Sequence, residues 1–200
     1  MVGVDFMKIA MIIPAAGLST RHPPNKLLDR IGGKTVIEKT IESYLNHDLE
    51  ILLITGHDNK KLTEVISLSI KKQIKIINNN QYQAGLSESI KKGVVSVQGD
   101  YDYFGFSLGD KPFIQGDTIK LLLKELETNN SKILIPTFEG LIGHPTFFPQ
   151  NYRSELMTIT GDSGGRELLS SHNDDITYFP VNDPGIILDM DTYYTEKNDN

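Results

Sequence analysis

Short apolar runs alternate along this chain with longer stretches whose apolar residues recur at helical spacing, and that alternation limits the fold more than any other feature. "KIAMII" from Lys8, "EILLIT" from Glu50, "IKII" from Ile74, "YFGFSL" from Tyr103 and "KILIP" from Lys132 read as strands. Between them, "TVIEKTIESYLNH" puts Val36, Ile37, Thr40, Ile41, Tyr44 and Leu45 on one helical face. "LTEVISLSIKK" repeats the pattern with Leu62, Val65, Ile66 and Ile70, and "DTIKLLLKELETN" does so again with Asp117 as its N-cap. Strands joined by helices imply crossover connections and a parallel arrangement. Strands that are apolar almost throughout imply helices on both faces. The expected class is therefore α/β, with three layers and a mainly parallel central sheet. After Pro136 the rhythm changes. "GHPTFF", "ITYFPV" and "GIILDMD" read as further strands, and "GDSGGRELLSSH" as a glycine loop opening a helix.

Length and composition narrow the classes. At 200 residues the chain is expected to form one domain, 1–200, with a polar tail over 195–200 that frays. No cysteine is present, which excludes disulfides and thiolate metal sites and fits a reducing compartment. No apolar run approaches the roughly 18–20 residues of a membrane span. "MVGVDFMKIAMIIP" lacks the small-residue cleavage site of a signal peptide, so the expected location is cytoplasmic. The formal net charge of −6 argues against nonspecific nucleic-acid binding. A polyphosphate ligand would need a few placed cations and a divalent metal.

In an open parallel sheet, ligands bind beyond the carboxyl ends of the strands. The first such loop is "PAAGLSTRHPPNK". Its small residues let the main chain approach a ligand, Arg21 offers a planar fork for phosphate, and Lys26 a mobile point charge. A plain strand-to-helix loop with two surface cations is the alternative. It is neither a P-loop nor a dinucleotide fingerprint, since "GK[ST]" and "GxGxxG" are both missing. "SLGDKPF" puts Asp110 at a strand end, where a single carboxylate can serve magnesium or simply cap a turn. In "LDMDT", Asp189 and Asp191 would face one side of a strand, and two like charges there call for a cation. Alternatively one of them caps a following helix. Ser87 in "GLSES" is a natural N-cap, and Asp162 or Ser163 could cap the helix after "GDSGGR". His144 in "GHPTFF" has no second histidine at metal-ligand spacing.

"PAAGLSTR…NKLL", "NNQYQAGLSES", "GDKPF", "GHPTFF", "GDSGGRELL" and "LDMDT" occur in this order from about Lys8 to Thr192. The ordered set resembles the molybdenum cofactor cytidylyltransferase family, within the MobA-like nucleotidyltransferase superfamily. The resemblance implies a Rossmann-like nucleotidyltransferase fold and Mg2+ as cofactor. It also implies transfer from a nucleoside triphosphate, CTP by the form of "PAAG", to the terminal phosphate of the pterin cofactor, with pyrophosphate released. By the same resemblance, Pro14, Ala15, Ala16, Gly17, Leu18, Arg21, Lys26, Asn79, Gly85, Ser87 and Asp110 match nucleotide positions. Arg21, Lys26 and Asp110 are the catalytic candidates. Asp110, Asp189 and Asp191 match the metal site, and His144, Gly161, Asp162, Gly164, Gly165 and Arg166 the acceptor side.

The chain departs from the family pattern at His22, Pro23 and Pro24 after Arg21, at Lys111 inside "GDxP", and at Tyr193 and Tyr194 after the last motif. Lys111 is expected to be solvated. Two rivals keep the same residues: a relative using another phosphate acceptor or base, and a weakly catalytic nucleotide or pterin binder that acts as a molybdoenzyme maturation partner.

Overall fold

A computed structural model describes residues 7–17, 25–128, 132–162 and 165–198. The strands are β1 (Ile9–Ala15), β2 (Arg30–Ile31), β3 (Lys34–Thr35), β4 (Leu49–Thr55), β5 (Ile74–Asn78), β6 (Tyr103–Phe106), β7 (Ile133–Phe138), β8 (Leu141–Ile142), β9 (Thr146–Pro149) and β10 (Ile176–Pro180). The helices are α1 (Val36–Glu42), α2 (Asn59–Val65), α3 (Leu68–Lys71), α4 (Leu86–Ser96), α5 (Gly116–Thr128), α6 (Arg153–Leu156), α7 (Arg166–Ser171) and α8 (Met190–Asn198).

Among the described residues, eight strands form one sheet in the order β10-β7-β9-β6-β1-β4-β5, with β8 beside β7. The pairs β1/β4, β1/β6, β4/β5 and β7/β10 are parallel, and the short β9 runs antiparallel between β6 and β7. The fold is thus α/β with a mainly parallel central sheet, as the alternation implied.

The apolar content of β1 follows from its central place. Ile9, Met11 and Ile13 pack into one core with α1, α2 and α5, through Val36, Ile37, Ile41, Leu62, Ile119 and Leu122. Ala10 and Ile12 pack into the other with α4 and α6, through Ile90, Val94 and Leu156. Alternate residues of one strand therefore serve opposite cores, and no position is left for a polar side chain.

Four local readings are corrected. "GIILDMD" is not a strand. Pro184–Ile186 is a single 3-10 turn, opened by the Asp183 side chain accepting from Gly185 N, and Met190 opens α8. The stretch over Leu62–Lys72 breaks into α2 and α3, because Ile66 is extended between them. Asp117 lies inside the first turn of α5 rather than at its cap. Ser87 lies inside α4, whose N-cap is Gly85.

Gly93 sets how closely α4 lies on the sheet. A Cβ there would come within 2.5 Å of Cγ2 of the fully buried Ile12. Helix propensity alone favours Gly93→Ala by about 1 kcal/mol, but overpacking a filled core costs about 1–3 kcal/mol. The clash is expected to win. Urea unfolding of Gly93→Ala should show a lower midpoint, and a midpoint unchanged or raised would contradict this packing.

Candidate active site

Three parts of the chain meet beyond the carboxyl end of β1. The first is the end of β1 itself. Pro14, Ala15 and Ala16 are buried, and Gly17 is exposed. Close packing requires the small residues: a Cβ on Gly56 would lie 2.7 Å from Cβ of Ala16, and one on Gly109 would lie 3.2 Å from Cβ of Ala15. Leu18, Arg21 and the His22-Pro23-Pro24 departure lie outside the described residues.

The chain returns at Asn25, which is 1% exposed. Its Oδ1 accepts from Leu27 N at 3.1 Å, and its Nδ2 donates to Asp58 Oδ2 at 3.0 Å. That amide, followed by Lys61, holds the Asp58 carboxyl below its ordinary range. Asn25 therefore fixes the turn over Lys26–Leu28 from which the Lys26 side chain projects.

The second part is the loop after β6. Gly109 N donates to Pro14 O at 3.0 Å, and Gly109 O accepts from Thr40 Oγ1 at 2.8 Å. These bonds set Asp110 beside the end of β1. Asp110 Oδ2 lies 2.7 Å from Lys26 Nζ. Asp110 Oδ1 is buried with no hydrogen-bond partner among the described residues. A buried carboxylate oxygen in that state is costly unless a cation or another donor meets it.

The third part is the start of α8. Lys26 Nζ donates to Asp191 Oδ1 at 2.9 Å, across 165 residues of sequence. Asp189 has a different task. Its Oδ1 accepts from Thr192 N at 2.9 Å and Thr192 Oγ1 at 3.0 Å, so it caps α8. Burial works against the Asp189 carboxylate, but the Thr192 bonds and the Lys111 charge outweigh it and hold its pKa low. In a strand both aspartates would have faced one way; the helix start separates them.

Lys111 is not solvated. Its side chain is 7% exposed, and its Nζ donates to Ile187 O at 2.8 Å and lies 3.7 Å from Asp189 Oδ2. Burial lowers its pKa, against the pull of Asp189 and Asp110. Lys111 thus ties the turn before α8 to the loop after β6. Tyr193, stacked 5.1 Å from Phe113, and Tyr194, donating to Asp29, anchor α8 further. The Tyr194 hydroxyl is pushed up to about 12, by burial and then by Asp29. Burial lowers the Lys26 pKa too, but Asp110 and Asp191 outweigh it and the net change is upward.

A cleft of about 380 Å³ opens here, lined by Pro14, Ala15, Ala16, Gly17, Lys26, Gly85, Asp110 and Asp191 among others. A second cleft of about 890 Å³ adjoins it across Pro14, Leu86, Leu108 and Asp162, and is lined by His144, Asp162, Gly165 and Arg166. The two sets of sequence candidates therefore fall largely into two neighbouring clefts. Gly164 and Ser163 lie outside the described residues. Asn79 and Ser87 line neither cleft. Asn79 is buried and donates to Ser89 Oγ at 3.2 Å, so it braces α4 from behind. Ser87 Oγ is buried without a partner among the described residues.

The start of α4 is not an open anion site. Leu86 N donates to Asp162 Oδ1 at 3.1 Å, and Ser87 N to Gly161 O at 3.0 Å. Asp162 does cap a helix, but it is α4 and not the helix that follows it. Gly85, at φ 107°, allows this contact, because a Cβ would lie 2.7 Å from the Gly161 carbonyl. Tyr82, Gln83, Ser89 and Leu108 also line the first cleft and were not singled out from the sequence. The first three lie within "YQAGLSES", so the motif carried the signal without naming the residues.

Among the described residues, no three His, Asp or Glu side chains converge on a metal position. The set Asp110 and Asp191 suits a hard cation that takes one or two carboxylates and completes its shell with substrate phosphates. The unpartnered Asp110 Oδ1 fits that use. No described helix is long and apolar enough to cross a membrane.

Residues 11–176 match the MobA-like NTP transferase domain family. The chain belongs to that family. It is a nucleotidyltransferase. Molybdenum cofactor cytidylyltransferase of Escherichia coli (strain K12) is 28% identical over 186 residues, 92% of this chain and 91% of that protein. The 3-deoxy-manno-octulosonate cytidylyltransferase of Flavobacterium johnsoniae is 30% identical over 128 residues, 63% of this chain and 49% of that protein. Rv0371c from Mycobacterium tuberculosis H37Rv shares the fold, with a TM-score of 0.79 at 21% identity over 96% of this chain and 97% of that one. A second structure of Rv0371c, a complex with manganese, gives a TM-score of 0.73 at 20% identity over 94% and 97%.

His144 carries a pH dependence of the fold. Burial, reinforced by the Lys111 charge, pushes its pKa from 6.5 down to about 4. The unfolded chain therefore binds a proton on this group between those values and the folded chain does not, so stability is lost as pH falls through that window. Between pH 7 and pH 5 the loss from this group is about 2 kcal/mol. His144→Gln should lose less stability over that interval than the parent chain in urea titrations. Equal losses would contradict a neutral, half-buried imidazole.

Proposed function

We propose that this nucleotidyltransferase joins a nucleoside triphosphate, CTP by preference, to the terminal phosphate of the molybdenum cofactor pterin, releasing pyrophosphate with magnesium as cofactor. One observation carries the reading. A single ammonium sits between two carboxylates from distant segments, at the mouth of a cleft walled by small residues, with the second oxygen of Asp110 buried beside it. Nucleotidyl transfer asks for that arrangement: charge compensation at phosphorus and alignment of the attacking oxygen, with little covalent work for the protein.

In this reading an acceptor phosphate oxygen attacks the α-phosphorus, the bond from that phosphorus to the bridging oxygen breaks, and pyrophosphate leaves with that oxygen. Asp110 and Asp191 would hold the magnesium ion, which when bound supplies charge neutralisation at the triphosphate and the departing pyrophosphate. Lys26 meets phosphate oxygens from the opposite side, with Arg21 as its proposed companion. Pro14 to Gly17 let the main chain approach the nucleotide, and Gly85 brings the α4 start close behind it. His144, Gly161, Asp162, Gly165 and Arg166 form the proposed acceptor side. His144 is neutral near pH 7, so its ring can orient an acceptor by hydrogen bonding but cannot supply a positive charge. An acceptor phosphate is already anionic and needs no strong base. The form of "PAAG" and the likeness to the Escherichia coli cytidylyltransferase over nearly both whole chains support CTP and the pterin acceptor.

The test is pyrophosphate release from each of the four triphosphates with magnesium, with and without the pterin cofactor. Release from CTP only when the cofactor is present is the expected result. Release that ignores the cofactor, or binding of triphosphate with no turnover, would contradict the proposal. Asp110→Ala should lower the magnesium-dependent rate by about a hundredfold or more, with the far-ultraviolet circular dichroism unchanged. Retention of the parent rate would remove Asp110 from the site.

A further inference from the structure

We infer that the first cleft takes its divalent cation far more readily as a metal–triphosphate complex than as the free ion, because Lys26 competes with the free ion for the carboxylate pair. The inference rests on the reading of Asp110 and Asp191 as the metal-holding pair.

The geometry is specific. Lys26 Nζ lies 2.7 Å from Asp110 Oδ2 and 2.9 Å from Asp191 Oδ1. The side chains of Lys26 and Asp110 are only 17% and 14% exposed, so this ion pair is little screened by water. A free cation held by the same two carboxylates would compete with the ammonium for their oxygens, and one held at Asp110 Oδ1, which lacks a partner among the described residues, would be bound against the repulsion of that ammonium. A free ion bridging the pair would therefore have to displace the lysine from both carboxylates, and the other carboxylate among the described residues lining the cleft, Asp162, already accepts from Leu86 N.

Triphosphate changes the exchange. It brings new oxygens for the ammonium, and it delivers the cation already partly coordinated. Lys26 can make the move, since Asn25 holds the turn through Leu27 N while the ammonium is carried on a flexible four-carbon stem. The same carboxylates then pass from ammonium to metal without either being left unpaired. Lys111 does not compete for this role. Its ammonium is bonded to Ile187 O and lies nearer Asp189 than the pair.

The consequence is a coupling. Triphosphate raises the affinity for the cation, and by reciprocity the cation raises the affinity for triphosphate, by more than their direct contact gives. Removing the ammonium should raise affinity for the cation alone while reducing that coupling. A merely structural lysine would not produce this pair of opposite changes.

Manganese binding, followed by electron paramagnetic resonance of the free ion, tests this with the full chain. It is measured alone and with a CTP analogue carrying a non-cleavable α,β-bridge. Lys26→Met should bind manganese alone about tenfold or more tightly than the parent chain, and the analogue should then strengthen manganese binding by a smaller factor. Lys26→Gln, which keeps a donor but no charge, should behave alike and serves if the methionine variant fails to fold. Asp110→Asn separates the two claims. If it abolishes manganese binding while the Lys26 variants bind no more tightly than the parent, the gating role is overturned and the metal site stands. If it leaves manganese binding unchanged, the metal site falls, and the gating role with it.

Discussion

One ammonium between two carboxylates organises this end of the molecule. Lys26 follows the first strand, Asp110 ends the loop after β6, and Asp191 belongs to the last helix. Each alone is an ordinary charged residue near a strand end. Held within hydrogen-bond reach of one nitrogen, they form a compact, partly desolvated cluster whose charges constrain one another. Such a cluster is tolerable only while every charge has a partner. The structure meets that demand with the lysine, and a polyphosphate with its cation can meet it differently.

The rest of the architecture delivers these three residues. Parallel pairing of β1 with β4 and β6 brings successive strand ends to one edge of the sheet. Crossover helices on both faces hold that edge rigid through two separate cores. Small residues then let neighbouring loops touch: Gly109 against Ala15, and Gly56 against Ala16. The last helix is drawn into place from below by Lys111 and from the side by Tyr193 and Tyr194.

Much of this was legible in the residues because it rests on local periodicity. A strand buried on both faces must be apolar throughout, and β1, β4 and β6 are. The ordered motifs likewise singled out Lys26, Asp110 and the small residues, which line one cleft. What the residues hid depends on partners far along the chain. "LDMD" has the alternation of a strand, yet Thr192 turns Asp189 into a cap and leaves Asp191 to face the cleft. Lys111 carries a charge that suggests solvent, but the Ile187 carbonyl, 76 residues away, gives it a buried partner. Ser87 looks like a cap, and the capping group is Asp162, which accepts from Leu86 N across 76 residues. In each case the local pattern was real and a distant group outweighed it.

The central claim is that Asp110 and Asp191, 81 residues apart in sequence, share one cation at the carboxyl edge of the sheet. Anomalous scattering at the manganese edge, from crystals grown with manganese and a non-cleavable triphosphate, addresses it directly. The expected map has one strong peak within bonding distance of Asp110 and Asp191, with the Lys26 ammonium moved onto phosphate oxygens. A peak elsewhere, or a lysine still seated between the two aspartates with the triphosphate bound, would contradict the account.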